Sequence, residues 1–155
     1  MIATARSEPT RASAAERTLC ILFHAGPEAY AIPALDVQKV VEPGRLNRLP
    51  SLPGSILGIT HHRGRIVTVV DLAGLFGAVR TPPQTASARI LVLDRGQRNI
   101  GLHVDAVDQI GPVRTAGDRR GGELAVVQHQ GRGVSLVDTD RLLERIYGLT
   151  REEVG

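Results

Sequence analysis

The 155-residue chain has no tryptophan, two tyrosines, two phenylalanines, one methionine, one cysteine and one lysine. Each scarcity excludes something. A lone Cys20 cannot close an internal disulfide, so the cross-links that staple small secreted domains are absent and the reducing cytoplasm is the expected compartment. An aromatic fraction of 3% offers no row of rings on which single-stranded nucleic acid would stack. It also leaves the core to Val, Ile, Leu and Ala, and the β-branched members of that set favour strands. No apolar run reaches the length of a membrane span. The opening MIATARSEPTRASAAERT lacks the continuous apolar segment of a signal peptide, so neither secretion nor membrane insertion is expected.

What charge there is comes from arginine. Lys and Arg number 19 against 16 Asp and Glu, for a net +3, and Lys39 is the single lysine. The arginines run from Arg6 to Arg151 interleaved with acids, which reads as a solvated surface. The alternative is a small basic β-barrel that binds nucleic acid, which would show steep salt dependence because each neutralised phosphate releases counterion. The length suits one domain with a substantial core.

Residues 1–17 are small and polar without apolar periodicity and read as a flexible arm, with a single domain over 18–150 and a tail at 151–155. LCILF (19–23), a turn at AGPE (25–28) and AYAI (29–32) form a hairpin pattern. DVQKVV (36–41) fits a helical turn or a strand equally. Three prolines between Pro43 and Pro53 indicate a crossing loop. SILGIT (55–60), a turn HHRG (61–64) and RIVTVVDL (65–72) give a second hairpin, with Asp71 placed to cap a short helix through Leu75 and Phe76 and Gly77 as its stop. TPPQTASA (81–88) looks like a linker. ARILVLDRGQRNIGLHVDAVDQI (88–110) supplies a third hairpin whose Ile100, Leu102 and Val104 alternate with Gly101, His103 and Asp105, the pattern of a half-buried strand. After the charged turn composition of 111–122, a strand pair with a turn at GRG precedes DRLLERIYG, a helix capped by Asp138 or Thr139 and ended by Gly148.

The two sides of the proline-rich divider resemble each other. GRIVTVVDLAGL (64–75) aligns without gaps on GRGVSLVDTDRL (131–142), and Ile21, Phe23, Tyr30, Ile32, Val37 and Val40 precede Leu91, Leu93, Ile100, Leu102, Val107 and Ile110 by one constant offset. Two similar lobes follow, at about 18–80 and 88–143. Strands this short lose their exposed edges by closing into small barrels, and a groove between the lobes would suit a partner.

Chemistry-bearing residues are sparse. His24, His61, His62, His103 and His129 do not make a metal set, because adjacent strand residues such as His61 and His62 face opposite ways and no Cys or carboxylate cluster completes a site. Cys20 sits inside an apolar run and reads as a buried small hydrophobe. Asp71 and Asp138 hold equivalent places in the two lobes, which argues for capping rather than acid–base work. There is no P-loop, dinucleotide fingerprint or nucleophile elbow. No catalytic residue, cofactor or metal is expected, and a lobe-bridging small-molecule site gains little support from so few aromatics. On residues alone, Arg63 beside Gly64 is either an ordinary solvated turn residue or a planar donor fork offered to a partner.

LGITHHRGRIVTVVDLAGLFG (57–77), preceded at a fixed distance by AYAIPALDVQKVV (29–41) and followed by RILVLDRGQRNIGLHVDAVDQI (89–110) and GVSLVDTDRLL (133–143), resembles the CheW-like chemotaxis coupling family from Leu19 to about Leu143. The resemblance implies a mainly β fold of two small five-stranded barrels with short helices and a C-terminal helix, and no catalysis. It implies an adaptor between the cytoplasmic tip of chemoreceptors and the regulatory domain of a CheA-type histidine kinase, with other CheW-like domains as further partners. It implies no nucleic acid, and places the protein on membrane receptor arrays through protein contacts. Carried over by position, Val37, Gly58, Arg63 and Gly64 match the family's receptor-facing groove and hairpin tip. Lys39, His61 and His62 lie in the same receptor-binding region and depart from the family, which usually has glutamate at the first place and asparagine and leucine at the other two. The connection from Val113 to Leu124 is shorter than is typical. These departures imply a divergent receptor, such as that of a twitching or gliding system.

Overall fold

The computed structural model describes residues 17–48, 54–78, 85–95, 99–115 and 123–154. The expected N-terminal arm up to residue 16, residues 49–53, 79–84, 96–98 and 116–122, and with them the first half of the expected linker at 81–88, lie outside them. Ten strands and two helices follow one another: β1 (Arg17–Ala25), β2 (Glu28–Pro33), a 3₁₀ turn (Ala34–Asp36), β3 (Val37–Val41), β4 (Ile56–His62), β5 (Arg65–Asp71), α1 (Leu72–Leu75), β6 (Arg89–Leu93), β7 (Ile100–Val104), β8 (Ala106–Arg114), β9 (Leu124–His129), β10 (Arg132–Val137) and α2 (Thr139–Val154). The expected arm therefore ends one residue early, since Arg17 already pairs with Arg114. The ambiguous DVQKVV stretch resolves as a strand from Val37.

The strands form two five-stranded sheets, ordered β8-β1-β2-β10-β9 and β3-β6-β7-β5-β4. This is the mainly β architecture expected, with one difference. Neither sheet closes into a barrel among the described residues, because β3 and β4 remain the edges of one sheet and β8 and β9 the edges of the other. Pro112 is tolerated in β8 for the same reason, since an edge strand can lack an amide donor on its outward side without losing a ladder hydrogen bond.

The duplication is visible in hydrogen-bond register. Ile21 faces Ile32 as Leu91 faces Leu102, Ile21 faces Ile110 as Leu91 faces Val40, and Ser135 pairs parallel with Tyr30 as Thr68 does with Ile100. Even the irregularity recurs, between Leu22 and Phe23 opposite β8 and between Val37 and Lys39 opposite β6. The halves nevertheless do not fold as separate lobes at 18–80 and 88–143. β1 and β2 join β8, β9 and β10 in one sheet, while β6 and β7 join β3, β4 and β5 in the other. The third strand of each half continues past its own hairpin and pairs with the first strand of the other half, so each sheet is completed by strands from both.

Three apolar clusters follow from strand alternation. Cys20, Leu22, Ala31, Val113, Val127, Val134 and Leu136 pack on one face of the first sheet, and Leu57, Val67, Val69, Ile90 and Val92 on the corresponding face of the second. The opposite faces meet in the largest cluster, where Phe23, Tyr30 and Ile32 join Leu91, Ile100 and Leu102. Phe23 stacks on Tyr30 at 5.5 Å between ring centres. The central strand β7 is therefore buried on both faces, Gly101 and His103 included, and not half-buried as its alternation suggests. A side chain at Gly101 would strike Ile90, which fits its place in the smaller of two packed faces.

The two helices follow the expected pattern at their starts. Asp71 accepts a hydrogen bond from the Gly74 amide at 3.2 Å, and Asp138 one from the Arg141 amide at 3.3 Å. Helix α2 does not stop at Gly148 but runs to Val154. Leu142, Leu143 and Ile146 bury completely or nearly so in the cluster between the sheets, and Leu149 packs against it beyond the glycine, so packing carries the helix through a poor helix former at a cost of about 1 kcal/mol. Arg145 ties it to α1 by donating to the Leu75 carbonyl at 2.8 Å, pairing with Glu123 at 3.3 Å and lying 5.3 Å from the Phe76 ring centre.

Candidate protein-interaction site

The β4–β5 hairpin turns on two residues, not on the four of HHRG: His61 and His62 still belong to β4, where His62 pairs with Arg65. Arg63 at φ 50° and Gly64 at φ 78° make the turn. Positive φ at both central positions gives the hairpin a twist that matches its strands. Glycine supplies this conformation freely, and arginine adopts it at a cost. The result is an arginine on a narrow, exposed tip.

Gly58 sits below that tip and is buried. It has φ 145°, at a register shift between Ile56 and Gly58. A Cβ there would collide with the Asn47 carbonyl and lie 3.0 Å from the Arg48 Cα. The missing side chain lets the strip after β3 cross β4. Asn47 and Ile59 exchange backbone hydrogen bonds of 2.8 and 2.9 Å, and the Thr60 hydroxyl donates to the Arg45 carbonyl at 2.7 Å. The strip thereby spans the seam between the edge strands β3 and β4. A groove of about 330 Å³ is left beside it, lined by residues 41–45, Asn47 and residues 60–62.

The expected site residues divide accordingly. His61, Arg63 and Gly64 are exposed, and His62 is partly buried, its Nε2 enclosed without a hydrogen-bond partner among the described residues. Lys39 is partly buried on β3, and Val37 packs against the cluster between the sheets. Gly58 positions the strip and presents no surface of its own. Sequence reasoning missed Arg45, Asn47, Arg48 and Arg65, which the crossing strip and the hairpin register bring to the same seam. The signal available for them was the asparagine and arginines among prolines in 43–53, and it did not say where the loop crosses.

The register-equivalent seam between β8 and β9 carries a turn with Gln130 at φ 51° and Gly131 at φ 79°. There the Gln109 and His129 side chains, equivalent to Lys39 and His62, approach to 3.4 Å. Ile110 and Val126 are 60% and 63% exposed at that seam, and Leu19 on β1 is 57% exposed. Among the described residues no group of three His, Cys, Asp or Glu is arranged to hold a metal ion, and no helix is long and apolar enough to cross a membrane. Cys20 is fully buried, and burial, aided by the charge of Asp36, pushes its thiol up to about 11.

Comparison with known proteins is consistent with this geometry. Residues 19–147 match the family model described as CheW-like domain. The chemotaxis protein CheW of Helicobacter pylori is 26% identical over 132 residues, covering 79% of each chain. Protein FrzA of Myxococcus xanthus is 30% identical over 135 residues, 79% of this chain and 82% of its own. The solved structure of the scaffolding protein TtCheW from Thermoanaerobacter tengcongensis superposes with a TM-score of 0.69 at 23% identity, over 78% of this chain and 88% of that one.

Proposed function

The chain belongs to the CheW-like family, and from that premise we propose that it is a non-enzymatic adaptor that couples chemoreceptors to a CheA-type histidine kinase. The proposal places it in the cytoplasm, held at receptor arrays by protein contacts. What supports the reading, beside the chemotaxis names of its relatives, is the exposed Arg63–Gly64 tip, which directly follows His61 and His62 in the lining of the groove at the β3/β4 seam. An adaptor works by holding two partners at once, which needs preformed surfaces more than reactive groups. One surface is this seam, with Val37, Lys39, His61, His62, Arg63 and Gly64 around it and Gly58 shaping it from beneath; it receives the receptor. The apolar edge of the other sheet is available to the kinase.

The test is a pull-down of the full chain against a kinase regulatory domain and a receptor cytoplasmic fragment from the same genome, at low and high salt and with a nucleic-acid control. Joint retention of both proteins is expected. Arg63→Ala and Arg63→Glu are expected to lose receptor while keeping kinase and fold. Retention of nucleic acid alone, lost steeply with salt, would overturn the reading.

A further inference from the structure

His103 is 4% exposed on the central strand β7, in register with Asp71, 2% exposed, on the adjacent parallel strand β5. Both lie two residues beyond Gly101 and Val69, on the same face of their strands, where a Cβ built on Gly101 meets Ile90 and Val67. An acid and a histidine thus stand on neighbouring strands at the end of the second sheet's own apolar cluster. Capping α1 accounts for Asp71, because Asp138 does the same for α2. It does not account for His103. The corresponding position of the other half holds Pro33, and Asp138 there is 44% exposed, so the fold is built once without the histidine.

The strip after β3 covers this histidine. A cavity of about 320 Å³ adjoins His103 and is lined by Pro43, Gly44, Leu46, Arg48, Leu57 and Thr85. The strip alternates: Leu46 and Arg48 line that cavity, Arg45 and Asn47 line the groove beside His61 and His62, and Pro43 and Gly44 border both. One layer of chain therefore separates a buried histidine from the candidate interaction groove. Among the described residues, the charged groups facing His103 are Asp71 from β5 and Arg48 from the strip. Ile90 on β6 and Leu57 on β4 are apolar, and Thr85 offers a hydroxyl. Asp105, just past β7, accepts from the Gly26 amide at 2.8 Å, and Glu42 and Arg45 line the groove across the strip.

We propose that His103 is a pH-sensitive support of the β3/β4 seam: acidification through the ordinary histidine range loosens the crossing strip and so changes the shape of the groove. With His103 neutral, the carboxylate of Asp71 is left to attract Arg48 and hold the strip down. A proton on His103 offsets that charge, and it creates a buried cation that gains from the approach of water. The strip is the cover that yields, because it holds to β4 by the isolated Asn47–Ile59 bridge and the Thr60 hydroxyl, whereas β4, β5 and β6 are locked in ladders. The proton thus acts as a ligand that favours the open arrangement. The effect on partners rests on the coupling reading, while the loosening itself does not.

The experiment is amide hydrogen exchange of the full chain by NMR at about pH 6 and about pH 8, corrected for intrinsic exchange, with the His103 ring signal followed across the same range. Protection of the Asn47 and Ile59 amides is expected to be about fivefold lower at the acid end, while amides within β7 keep theirs. In His103→Gln, which cannot take up the proton, the two amides should stay within about twofold. Should that variant fail to fold, the native protein still decides, because the loss of protection must share its midpoint with the His103 ring. A ring signal constant from about pH 5 to about pH 8, protection that is equal or higher in acid, an equal loss throughout β7, or a loss that survives in His103→Gln would each overturn the inference. A receptor fragment retained equally at both ends although the strip loosens would instead remove the seam from the receptor contact and leave the inference standing.

Discussion

Arg63 and Gln130 stand at the same position of two equivalent turns and hold the same left-handed conformation, φ 50° and 51°, each followed by a glycine. Neither is a residue type that favours this region. The backbone of the repeat fixes the conformation, and the two halves have put different side chains on it.

That equivalence separates stability from function. Asparagine tolerates positive φ better than arginine or glutamine and precedes glycine readily in such turns. Both Arg63→Asn and Gln130→Asn should raise unfolding free energy by about 0.5 kcal/mol in urea titrations. Arg63→Asn alone should lose receptor in the pull-down. Receptor loss with Gln130→Asn and not with Arg63→Asn would assign the contact to the wrong seam.

Gly58→Ala should be among the most disruptive single changes at the site. The added methyl meets backbone, which cannot rotate away, and φ 145° is open to glycine alone. A loss of about 3 kcal/mol is expected, with faster hydrogen exchange at the Asn47 and Ile59 amides as the strip lifts. A loss below about 1 kcal/mol with both amides still protected would mean that the crossing is not held as described.

Cys20 makes alkaline stability measurable. Burial first, then the charge of Asp36, pushes its thiol up to about 11, above the ordinary value of 9.0. The folded chain thus keeps a proton that the unfolded chain releases between those values. Its contribution is complete below pH 9 and declines as pH rises toward 11. Urea midpoints across that window should fall more steeply for the native protein than for Cys20→Ala, and iodoacetamide labelling of the native protein should track global unfolding. Equal slopes, or rapid labelling in the absence of denaturant, would contradict the burial.

Most local structure was legible. β-branched runs between Gly and Pro gave the hairpins, Asp71 and Asp138 gave the caps, and the resemblance placed Arg63 and Gly64 on a tip. The misreadings share a cause. Gly148 looked like a stop because the contact of Leu149 with the core is invisible from spacing. Gly101 and His103 looked solvent-facing because alternation records which residues share a face, not whether that face is covered. Arg45 and Arg48 looked like loop residues because a proline-rich stretch does not disclose that Asn47 will bridge to Ile59.

The sequence by itself determined that the chain repeats, since a constant offset between apolar positions survives in the residues wherever they fold, and it determined the family to which that pattern belongs. Only the tertiary structure decided how the halves share strands. β3 and β8 each lie beyond their own hairpins, and whether such a strand returns to its own half or crosses to the other depends on long-range pairing and on a common core that buries Phe23 with Leu102 and Ile146. The same crossing brings Arg45 and Arg48, remote in the chain from Arg63 and Arg65, to one seam, because position in space and not position in the chain decides which charges are neighbours.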